Sequence, residues 1–139
     1  MKSEIILGEL KLVDTVVFLN MNDASKQPLT TKSYLFAIEI VRLCQRLVIV
    51  NKEYVLSKQV IRSGTAIGAI LREAEYAFSR QDFIFKLSIS LKEANETLYW
   101  LSLLFDTDYI TVDQFEKLRK ECNGLISMLV ASIKTAKSN

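Results

Sequence analysis

The chain has 139 residues, half of them hydrophobic and 24% charged, a composition that suits one packed domain and excludes a disordered chain. One Pro and four Gly encode too few tight turns for a β-sandwich or barrel. A net charge of +2 does not by itself mark a nucleic-acid binder, and the absence of His removes the commonest general base and a common metal ligand.

A domain of this length buries roughly two-thirds of its unfolded surface, so it needs no disulfide or metal to hold it together. Cys44 and Cys122, at unrelated spacing, read as free thiols of a reducing cytoplasm. No apolar run reaches the roughly 20 residues that span a bilayer, so no membrane partner is expected. Residues 10–19 form an apolar run broken by Asp14 behind a thin charged region, which makes a poor secretory signal.

Residues 1–29 read as an N-terminal extension and linker, and residues 30–139 as the folded domain. Residues 1–20 carry a net −1, which leaves +3 on the remainder. Two readings of this leader stay open: an ordered extension that packs on the domain, or a segment ahead of a start at Met21. Residues 22–32, polar and containing Pro28, read as the linker.

The first helix is expected at about 31–50, capped by Thr30 or Thr31, with Tyr34, Ile38, Val41, Leu43, Leu47 and Val48 as its apolar positions. The second is expected at about 53–78, with Val55, Leu56, Val60, Ile67, Ile70, Leu71 and Ala74. Its small-residue centre, Ser63-Gly64-Thr65-Ala66-Ile67-Gly68-Ala69, costs helix propensity, which is tolerated where another helix crosses closely. Ser79 and Asp82 have capping-box spacing and open a third helix at about 80–106. Thr111 and Gln114 form a second capping box, opening a fourth helix at about 112–136. Its face carries Phe115, Leu118, Cys122, Leu125, Ile126, Leu129 and Ile133. Four helices with short connections make an all-α, antiparallel up-down four-helix bundle.

The third helix is apolar on two sides. Phe83, Leu87, Leu91, Ala94, Leu98, Leu101 and Phe105 fall on one stripe, expected to be the core. Phe85, Ile89, Trp100 and Leu103 fall roughly opposite. A single bundle needs one stripe per helix, so the second marks a self-association surface, or else a seat for residues 1–20.

No catalytic constellation assembles from these residues, so no enzyme activity and no cofactor are expected. Nucleophile systems that need His fail, no GxxxxGK[ST] loop occurs, and Glu93-Ala-Asn-Glu96 lacks the His of a Glu-x-x-His di-metal motif. Glu73, Glu93 and Glu96 instead pair naturally with Arg62, Arg72, Lys86 and Lys92 as a register-fixing polar network or a solvated ionic face. Lys117, Arg119 and Lys120 are the one basic cluster that could contact RNA or DNA. Lys134 and Lys137 are accounted for by the dipole of the last helix.

The run Gln59-Val60-Ile61-Arg62-Ser63-Gly64-Thr65-Ala66-Ile67-Gly68-Ala69, then Arg72-Glu73-Ala74, Ser79-Arg80-Gln81-Asp82-Phe83, Lys86-Leu87, Leu91-Lys92-Glu93-Ala94-Asn95-Glu96-Thr97 and Tyr99-Trp100-Leu101 resembles the bacterial four-helix-bundle proteins of the 23S rRNA intervening-sequence family. Ser33-Tyr34-Leu35-Phe36-Ala37 and Ile40-Val41 also fit. Ala66 and Ile70 depart from the polar residues common in that family, so roles resting on those groups are not carried over. The resemblance implies a non-enzymatic bundle that forms cyclic homo-oligomers, notably pentamers. Related accessory variability determinant proteins of diversity-generating retroelements bind a reverse transcriptase and nucleic acid. A partner that is RNA, DNA or a nucleic-acid-handling protein is therefore an expectation from resemblance.

Overall fold

The structure is a computed structural model that describes residues 28–139. Both readings of residues 1–20 lie outside the described residues. Four helices follow in order: α1 (Leu29–Ile49), α2 (Leu56–Ala74), α3 (Arg80–Asp106) and α4 (Val112–Ser138). Each packs on its chain neighbours, and α4 closes the ring of contacts on α1, giving the up-down bundle. The α1–α2 and α3–α4 turns therefore share one end of the bundle, and the α2–α3 turn lies at the other.

The helix starts differ in chemistry. Thr111 caps α4 as expected: its Oγ1 accepts from Gln114 N at 3.2 Å, and Gln114 Oε1 accepts from Thr111 N at 2.9 Å. Ser79 caps α3 by accepting from Asp82 N, but the Asp82 carboxylate accepts from Phe78 N rather than from Ser79, so that box is half-formed. Neither Thr30 nor Thr31 caps α1, which starts instead behind Pro28 with no side-chain cap. Proline brings its fixed φ, near −59°, to that position.

Helix α2 begins three residues later than the pattern implies, because Glu53 stays outside it and acts as its cap. The Glu53 carboxylate accepts from Ser57 N at 2.8 Å and Val55 N at 3.2 Å, while Ser57 Oγ donates back to Glu53 O at 3.0 Å. Burial pushes the Glu53 carboxyl up, but the N–H groups of Ser57, Leu56 and Val55 outweigh it and hold the group below the usual carboxylate range. The same helix ends at Ala74, short of residue 78, where the chain tightens into i+3 bonds from Tyr76 N to Glu73 O and Ala77 N to Ala74 O.

The small-residue centre of α2 is a close helix crossing. A Cβ on Gly64 would lie 2.8 Å from Ile40 Cγ2, and one on Gly68 would lie 3.1 Å from Ser33 Oγ. The core is built by Phe36, Ile40, Leu43 and Leu47 of α1, Val60, Ile67 and Leu71 of α2, Leu87, Leu101 and Leu104 of α3, and Leu118, Leu125 and Leu129 of α4.

Two expected apolar sets need correction. On α1, Phe36 and Ile40 are buried, whereas Tyr34 is exposed and Ile38 and Val41 are only half-buried. On α3 the buried stripe is Leu87, Ser90, Ala94, Thr97, Leu101 and Leu104, while Phe83, Leu91, Leu98 and Phe105 flank it. Small residues win these central positions because α2 comes close. Their hydroxyls are satisfied: Ser90 Oγ donates to Ile67 O at 2.9 Å, and Thr97 Oγ1 bonds both Ser63 Oγ at 3.0 Å and Glu93 O at 2.8 Å. Both cysteines are free and buried, and burial pushes the Cys44 thiol up to about 11 and that of Cys122 to about 12. Thiols held protonated in this way are poor nucleophiles.

Candidate interaction surfaces

The second apolar side of α3 is present and only partly covered by the bundle. Phe85 is 60% exposed, and Ile89, Trp100 and Leu103 are only half-buried. Tyr99, which the stripe pattern did not single out, adds to this surface at 61% exposure and meets Trp100 edge to face, 4.9 Å between ring centres. Its position on the helix lies just beside the stripe, which is why periodicity alone passed over it.

A charged cluster borders these aromatics along the α2–α3 seam. Arg62 forks between Glu93, at 3.2 Å, and Glu96, and Trp100 Nε1 donates to the same Glu96 Oε1 at 3.2 Å. The Arg62 hydrogen bond, then that of Trp100, holds Glu96 below the usual carboxylate range; Glu96, then Glu93, raises Arg62. Lys86 pairs separately with Glu73 at 3.2 Å. The expected seven-residue network is thus two clusters, and among the described residues Arg72 and Lys92 join no ion pair. The charge of Lys92 contributes to lowering Glu96, behind the larger effects of Arg62 and Trp100.

The basic cluster on α4 is largely neutralised. Lys117 binds Glu39 of α1 and lies 3.5 Å from Glu121, and Arg119 pairs with Glu116 at 2.6 Å. Of the three bases, Lys120 alone is free of an ion pair among the described residues. The Glu39–Glu121 contact across the α1–α4 seam was not foreseen. Burial, then the hydrogen bond and charge of Glu39, pushes the Glu121 carboxyl up to about 7. Burial acts the same way on Glu39, but bonds to Glu121 and Lys117 and the charges of Lys117 and Arg42 bring it below its usual range. Glu39 and Glu121 share the Lys117 ammonium and repel one another when both are ionised, so the second proton of the pair is held to higher pH.

Among the described residues no group of three or more Cys, Asp or Glu side chains is placed to hold a metal ion. No described helix is long and apolar enough to cross a membrane.

A family model described as 23S rRNA-intervening sequence protein matches residues 26–131. The fold is similar to the 1.70 Å crystal structure of a protein with unknown function from the S23 ribosomal protein family of Bacteroides thetaiotaomicron VPI-5482. The two share 52% identity with a TM-score of 0.76, over 77% of this chain and 99% of that one. No curated protein matches the chain.

Proposed function

The chain belongs to the 23S rRNA-intervening sequence protein family, and from that premise we propose that it works as a non-enzymatic, self-associating helical scaffold of the bacterial cytoplasm. The observation that carries this reading is the two-sided α3: its inner face is spent on the bundle, and its outer face presents Phe85, Ile89, Trp100 and Leu103. Removing those side chains from water on a second copy is favourable by about 25 cal/mol for each Å² of apolar area. The Arg62–Glu93–Glu96 cluster then forms the polar rim that sets orientation. The family resemblance favours a pentameric ring.

The occupied state of Lys117 and Arg119 favours a protein over a nucleic acid as the further partner of such a ring, because these bases already spend their charge on Glu39, Glu121 and Glu116. Native mass by light scattering, on the full chain and on a chain starting at Met21, tests the assembly. A defined oligomer that falls to a smaller species in Phe85→Ser/Trp100→Ser supports it; a monomer in both chains ends it. A salt-dependent gel shift with RNA or DNA near physiological ionic strength would restore the nucleic-acid reading.

A further inference from the structure

The end of the bundle that carries the α1–α2 and α3–α4 turns is divided by charge. Arg46, Lys52 and Lys58 lie on the α1–α2 half, and Asp106, Asp108 and Asp113 on the α3–α4 half. All six are exposed, and among the described residues none is in an ion pair. The one acid on the basic half, Glu53, is buried and turned inward to cap α2. Apolar side chains are interleaved on both halves: Val50, Tyr54 and Val55 on one, 51% to 72% exposed, Tyr109 and Val112 on the other, 37% and 57% exposed.

Four of the six charges sit where local physics disfavours them. Lys52 and Asp108, at the two turns, are the only described non-glycine residues with positive φ, at 55° and 65°. That region is uncommon for a residue with a Cβ, more so for Lys than for Asp. Lys58 is a cation in the first turn of α2, and Asp106 an anion in the last turn of α3, so each opposes its helix dipole. Among the described residues no ion pair compensates these placements. A matched set of opposite charges on a second body would.

From this geometry we infer that the turn end of the bundle is a self-complementary docking surface for a second copy, joined end to end about a two-fold axis. A two-fold across this end lays the basic α1–α2 half of each copy over the acidic α3–α4 half of the other, so that every contact occurs twice. The apolar side chains between the charges meet one another and lose water. The buried Glu53 cap holds the Tyr54–Val55 turn in place before docking, which lowers the ordering cost. The surface is separate from the outer face of α3, so it pairs whole assemblies, one ring with another, as readily as single protomers.

Charge swapping on the full chain tests this, with native mass measured at one fixed protein concentration in low salt and circular dichroism confirming the helix content of each variant. Lys52→Glu halves the mass; Lys52→Glu/Asp108→Lys restores it, because the exchanged charges face each other again across the axis. Asp108→Asn, which suits the left-handed backbone, also shifts the population toward the half-mass species. Raising salt to 1 M moves the wild type the same way, as screening shortens to about 3 Å. A mass unchanged by Lys52→Glu, or a double variant that stays at half mass, overturns the inference and leaves association through α3 standing. A wild-type dimer that Lys52→Glu splits supports the end contact and removes the α3 assembly. A wild-type monomer overturns both.

Discussion

The two sides of α3 invert the usual assignment of residue type to environment. The inner side has Ser90, Ala94 and Thr97 at its centre, fully buried, while the outer side shows Phe85, Tyr99 and part of Trp100 to solvent. The inversion follows from distance. Between α2 and α3 there is room only for small side chains, and a hydroxyl that finds a partner there costs little to bury. Bulk is then carried by Leu87, Leu101 and Leu104, and the large aromatics are displaced to the outside. Burial on this helix reports how closely its neighbour approaches more than how apolar each residue is.

The sharpest way to separate the two sides is to truncate one side chain on each. Leu101 is completely buried, and Leu101→Ala removes its contacts and leaves a cavity, costing about 3 kcal/mol. Thermal or denaturant unfolding of the variant reads this directly. Phe85→Ser, on the outer side, changes unfolding of the dissociated protomer by less than about 0.5 kcal/mol while weakening assembly. Equal destabilisation by the two would show that Phe85 is packed within the protomer and that the comparison is mistaken.

The second test addresses closeness itself. Gly64→Ala gains helix propensity worth about 1 kcal/mol, but its Cβ meets Ile40 at 2.8 Å, an overpacking that costs about 1–3 kcal/mol. The expected net is a modest loss, near 1 kcal/mol in denaturant unfolding. Ile40→Ala removes both crowding γ carbons, so Gly64→Ala introduced into that variant should cost less than it does in the wild type. Stabilisation by Gly64→Ala alone would mean that α1 and α2 part without penalty.

These particulars say where the sequence was legible. Helix α4 was readable because its start is coded locally by Thr111 and Gln114 and its face by an unbroken apolar period. The limits of α3 followed from Ser79 and the lack of a breaker before Asp106. The start of α2 was obscured because its cap is a glutamate, a residue type that seldom takes that role, buried by contacts the sequence does not display. The inner stripe of α3 was misread for a related reason: Ser90 and Thr97 count as polar until Ile67 O and Ser63 Oγ are placed beside them. The outer stripe was legible as a surplus of apolar residues. The quenching of Lys117 was not, since its partner Glu39 lies 78 positions away.

Charge extends the comparison to a third seam, between α1 and α4, where burial and the neighbouring Glu39 push the Glu121 carboxyl up to about 7. Its folded pKa is raised, so the native state binds more protons than the unfolded state between the ordinary value of 4.5 and about 7. Stability contributed by this group is full below that window and falls as pH rises through it. Glu39, whose pKa is lowered, acts with the opposite sign and loses its contribution only as pH falls below the usual carboxylate range. Unfolding midpoints measured from pH 5 to pH 8 should decline in the wild type, and Glu121→Gln should flatten that decline. A Glu121→Gln profile parallel to the wild type would show that the two carboxylates are apart in solution.

The smallest expected effect lies back on α3, at the edge between its two sides. Arg62 is half exposed, and its pairs with Glu93 and Glu96 are screened by water, so Arg62→Ala changes protomer stability by no more than about 1 kcal/mol. The same change frees Glu96 to interact with Trp100 alone and leaves two acids beside the outer aromatics. A neighbouring copy that buries Phe85 and Trp100 must then approach uncompensated negative charge. Arg62→Ala should therefore weaken assembly more than it weakens folding, and Arg62→Lys, which keeps the charge but replaces the planar two-nitrogen fork with a single ammonium, should have an effect between those of wild type and Arg62→Ala. A loss of folding stability larger than the loss of association would place Arg62 in the service of the inner side, as a clamp on the α2–α3 register.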